Sequence, residues 1–67
     1  MKKTLNQLKA SRRNLSLMLL TGMVINLKHI KHFARDTEIA IRIDTIITAI
    51  ERLQSAIRET TYESWSA

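Results

Sequence analysis

Apolar residues stand at Ile39, Ile43, Ile46, Ile50, Leu53 and Ile57, in alternating steps of four and three. Only an α-helix gathers that spacing into one stripe, because a turn of ~100° per residue returns to the same face after each step. The spacing predicts a helix over about residues 37–60, with Ala49 and Ala56 flanking the stripe where small side chains permit close packing. Ile39, Ile41 and Ile43 alone would suit a short strand, but the later spacing overrules it. Ile41 then falls off the stripe, either as a stray exposed residue or as part of a partner surface.

The first half carries two apolar rows. Leu5, Leu8, Leu15, Leu19, Met23, Ile30 and Phe33 share a narrow arc, interrupted by Arg12 and Asn26, and predict a helix over about residues 4–33. A shorter row, Leu17, Leu20, Val24 and Leu27, lies on another side of its middle. A helix apolar nearly all round packs on more than one side. The long row, from Leu15, Leu19 and Met23 to Ile30 and Phe33, is expected to meet Ile39, Ile43, Ile46, Ile50, Leu53 and Ile57 as the core of a hairpin. The short row, with Ile41, Tyr62 and Trp65, is expected to contact a second copy or another protein.

A break is expected at residues 34–37. Asp36 or Thr37 is placed to cap the second helix, and Asp36 with Glu38 sets negative charge at the positive end of its dipole. Lys31 and Arg35 correspondingly lie at the C-terminal end of the first. The competing arrangements are one continuous rod of about 55 residues, near ~80 Å long, and a further break at Ser11 to Asn14. The expected fold is all-α: an antiparallel hairpin of two long helices in a single domain, residues 1–67, closed by an aromatic tail at 61–67 and dimerising into a four-helix bundle.

Composition supports that choice. One glycine, Gly22, and no proline exclude Gly-rich phosphate loops and Pro-rich recognition segments, and no cysteine means no disulfide and no thiolate-bound metal. A core of this size rarely outweighs the ~1.5 kcal/mol of entropy lost per ordered residue. Association is therefore expected, and Gly22 is either a point of close helix approach, a bend or a tolerated glycine. The formal charge of +5 conceals an asymmetry: residues 1–35 carry +8, with no acid, and residues 36–67 carry −3. Antiparallel pairing of the halves draws unlike charge together, although surface pairs contribute only ~0–1 kcal/mol each.

Candidate chemistry is sparse. Lys9, Arg12 and Arg13, and Lys28, Lys31 and Arg35 with His32, form two basic clusters, relieved either by acids of the second helix and solvent or by phosphates or an acidic protein. No aromatic platform or zinc-finger spacing accompanies them. His29 and His32 lack a third ligand in their helix, so no metal or cofactor is expected. Arg12 and Asn26 either fix register within an apolar seam or lie at its edge. Tyr62 and Trp65 either cover a helix end or anchor a partner. No nucleophile stands at a recognisable spacing from a base, so no enzyme is expected. The thirteen-residue apolar run from Leu15 to Leu27 is short of the ~20 needed to span a bilayer, and no small-x-small cleavage site follows it.

The expected function is that of a small regulatory interaction protein of the cytoplasm, phage- or plasmid-encoded. It would inhibit or adapt a larger host protein complex with an acidic surface. The alternatives are a nucleic-acid-binding regulator that uses the basic first helix and an amphipathic protein of membrane surfaces.

Overall fold

The computed structural model describes residues 4–65. Helix α1, Leu5–Phe33, and helix α2, Thr37–Glu59, pack as an antiparallel hairpin, and a short 3-10 turn, Tyr62–Ser64, returns against α1. The end of the predicted tail, residues 66 and 67, lies outside the described residues, as do Lys2 and Lys3.

Each helix starts on a side-chain cap. The Thr4 hydroxyl accepts from the Gln7 N–H at 3.2 Å while the Gln7 side-chain oxygen, Oε1, accepts from the Thr4 N–H at 2.9 Å, a reciprocal capping box. Asp36 caps α2: its Oδ1 accepts from the N–H groups of Glu38 at 2.8 Å and Ile39 at 3.3 Å. Glu38 adds charge at the same helix end, and Lys31 and His32 occupy the last turn of α1. The chain reverses through Ala34, Arg35 and Asp36, with Ala34 and Asp36 extended and no positive φ among the described residues. That conformation needs no glycine, which is why a hairpin forms where the sequence offers none. Neither the rod nor the break at Ser11 to Asn14 occurs, and α1 runs unbroken through Gly22.

The two helices form a single layer, 50 × 22 × 12 Å in Cα extent. Val24 packs with Ile43, Ile47 and Ile50 in the seam, with Leu20 and Leu27 against them, and Ile57 is buried farther along α2. Polar contacts line the seam. Gln54, itself buried, donates from Nε2 to Thr21 Oγ1 at 3.0 Å, and that hydroxyl donates on to the Leu17 carbonyl. Lys31 pairs with Asp44 at 2.8 Å. At the other end the Arg13 guanidinium donates from Nη1 to the Thr60 carbonyl at 2.8 Å, which places a cation at the negative end of the α2 dipole. The Trp65 indole N–H donates to Thr60 Oγ1 at 3.0 Å, so the tail is folded onto that junction.

The expected division of apolar residues is largely inverted. Leu20, Val24 and Leu27, with half-buried Leu17, occupy the seam and not an outer contact. Of the expected hairpin core, Ile43, Ile50 and Ile57 are buried, whereas Leu15, Leu19, Met23, Ile30, Phe33, Ile39, Ile46 and Leu53 are exposed. The reason lies in the interruptions of the long row. Placing it in the seam would bury Arg12 and Asn26 away from water, while the short row has no polar member, and Thr21 beside it supplies the partner Gln54 needs. Trp65 is half-buried through its bond to Thr60, so of its two expected roles it takes the one at the helix end.

Asp36→Ala removes both cap bonds of α2. It is expected to lower unfolding free energy by ~1 kcal/mol in urea denaturation at fixed protein concentration; an unchanged midpoint would show that the cap does not set the turn.

Candidate interaction face

On each helix the exposed apolar row is displaced from the buried one in the same rotational sense, by about 60° on α2 and about 115° on α1. Because the helices run antiparallel, equal senses carry both rows to the same side of the hairpin. Leu15, Leu19, Met23 and Ile30 of α1 thus lie beside Ile39, Ile46 and Leu53 of α2, all roughly half exposed. The opposite side bears Thr21, Lys28, Asp44, Glu51 and Arg58. Two apolar rows therefore share one side of the hairpin, while the other side mixes these polar residues with exposed Met18 and Ile25 of α1.

The chain exposes 5509 Å², more than the about 4,400 Å² of a compact protein of its mass, 7.8 kDa, as a single layer of 50 × 22 × 12 Å must. Gly22 sits at the edge of the face, and a Cβ there would meet nothing within 4 Å. Packing within the chain thus gives no reason for a residue that costs ~1 kcal/mol of helix propensity relative to alanine. Ala49 and Ala56, both exposed, edge the same face on α2.

The basic residues do not form one surface. Arg13 and Lys31 are engaged with Thr60 and Asp44, and Arg42 pairs with Glu38 at 3.0 Å. Lys9 is half-buried; Arg12 is exposed on the apolar side, Lys28 on the polar side and Arg35 in the turn. His29 and His32 are exposed, and no group of three or more metal-ligating side chains occurs among the described residues. Ile41 and Tyr62 are exposed, Ile41 on the outer side of α2, where it lines a shallow groove with Asp44, Thr45, Thr48, Ala49 and Arg52. All of those groove residues belong to one helix, so it has no second wall. Among the described residues no helix is long and apolar enough to cross a membrane.

Comparison with protein-family models, with curated proteins and with solved structures finds no match to this chain.

Two structural features have little or no local signature in the sequence. The inward placement of Ile47 and Gln54 was signalled only by Thr21, a polar residue able to receive the glutamine. The Arg13 to Thr60 bond carries no local signature, since its members are 47 positions apart. The Thr4 and Gln7 capping box was legible in the spacing alone. Ile46→Glu is expected to cost more than ~2 kcal/mol, as a carboxylate buried in an apolar contact does, whereas Ile41→Glu on the outer side is expected to stay within ~0.5 kcal/mol. Equal, small losses in urea denaturation would mean that the face carrying Ile46 is uncovered in solution.

Proposed function

We propose that this chain is a non-enzymatic interaction protein that works as a homodimeric four-helix bundle and presents its remaining basic side chains to an acidic protein surface. The observation that carries the reading is the apolar face shared by Leu15, Leu19, Met23 and Ile30 with Ile39, Ile46 and Leu53. Within one chain a single-layer hairpin with so small a seam cannot remove these side chains from water, and bundles of four helices are a common solution. A second copy matches the face in size and in its own apolar character. Outside that face Lys28, Arg35, Arg52 and Arg58 stay exposed together with the helix-end acids and with Met18, Ile25 and Ile41. A regulatory factor of phage, plasmid or bacterial origin that inhibits or adapts a larger host assembly fits that design, acting in the cytoplasm without cofactor or metal.

The dispersal of the cations favours a protein partner over nucleic acid. A phosphate-binding surface gathers lysine and arginine on one face or along one groove, and here two of the six candidate cations are already engaged while the others point to different sides. Fluorescence anisotropy against poly-glutamate, duplex DNA and structured RNA over a salt series tests the assignment. Poly-glutamate is expected to bind and to be released as salt rises, and Lys28→Gln with Arg35→Gln is expected to weaken it about three- to tenfold. Selective binding of one nucleic acid, more than ~10-fold tighter than poly-glutamate with a steep salt slope, would replace this reading by the nucleic-acid one.

A further inference from the structure

Resting on the dimer reading above, a face-to-face pair of hairpins has two symmetric arrangements. With the two-fold axis parallel to the helices, each α1 lies on α2 of the partner and both turns sit at the same end. With the axis perpendicular to the helices and in the plane of the face, each α1 lies on the partner's α1 and the turns sit at opposite ends. The apolar face is compatible with both, and the charges separate them.

We infer that the hairpins associate with α1 against the partner's α2, turns together. Helix α1 carries Lys9, Arg12, Arg13, Lys28 and Lys31 and no acid, a charge of +5, whereas Arg42, Arg52 and Arg58 against Glu38, Asp44, Glu51 and Glu59 leave α2 at −1. In the turns-together bundle every neighbouring pair of helices is one α1 and one α2, and the two α1 helices lie on the diagonal. The other arrangement lays +5 directly along +5, without an intervening acid.

Arg12 makes the same choice locally. It is the charged member of the exposed α1 row, and the Arg13 bond to Thr60 fixes its level beside the end of α2. In the turns-together bundle that level brings it to the partner's Glu59 and Glu63. In the opposed bundle, centred on the apolar face near Met23, it meets the end of the partner's α1, where Lys31 and Arg35 stand. Gly22 is edged toward the partner's Ala49 and Ala56 in the chosen arrangement, so small residues meet across the rim.

The chain has no cysteine, so one introduced thiol carries one spin label. Arg35→Cys in the turn, and separately Thr61→Cys at the other end, are read by double electron–electron resonance on the full chain. With neighbouring helices ~8–10 Å apart, both labels are expected to give inter-copy distances under ~30 Å. Distances of about 35 Å or more at both sites, twice the ~16–18 Å rise from the level of Met23 to each end, would overturn the orientation and leave the dimer standing. No coupling between copies at either site, at concentrations where the chain is helical, would overturn the orientation and the dimer reading together.

Discussion

The constraint on which everything else depends is that one helix covers only part of an amphipathic neighbour. The apolar arc of α2 extends from Ile47 through Ile43, Ile50 and Ile57 to Ile46 and Leu53, which is wider than the contact α1 makes with it. The hairpin therefore buries half of the arc and leaves the other half, with a matching row on α1, facing outward. A layer 12 Å thick in its backbone has no interior in the sense of a globular core. Its seam holds the helices in register, and within one chain the outer half of the arc stays exposed.

Which half enters the seam was settled by polar residues. The long α1 row is interrupted by Arg12 and Asn26, both of which stay exposed in the hairpin, and burying either in the seam would require a polar partner there. The short row is uninterrupted and ends beside groups that satisfy each other: Thr21 receives Gln54, Lys31 pairs with Asp44, and Arg13 reaches the carbonyl of Thr60. These contacts contribute modestly to stability, because the Lys31 and Asp44 side chains are each about half exposed. They do fix the stagger of the helices, and through the stagger they determine what lies on the outer face.

The helices, their antiparallel pairing and the turn after Phe33 were legible from spacing, charge and the Asp36 cap, since each depends on residues close in sequence. The partition of the apolar rows was not. A row's periodicity reports that it is buried somewhere, but it does not report against what, and Ile46 and Ile50 look alike until the rotation of the helix is known. Gln54 was overlooked because a glutamine on a hydrophobic arc reads as an interruption unless its partner, 33 positions earlier, is known. For Trp65 the helix-end role was legible, but its partner Thr60 was not, because that hydroxyl becomes available only once the helix ends there.

Sedimentation equilibrium of the unlabelled chain at micromolar concentration tests the central claim most directly, because it asks whether the outer face is covered by a second copy. A homodimer gives a mass of twice 7.8 kDa, with an unfolding midpoint that rises with protein concentration. A mass of 7.8 kDa combined with cooperative, concentration-independent unfolding would contradict it.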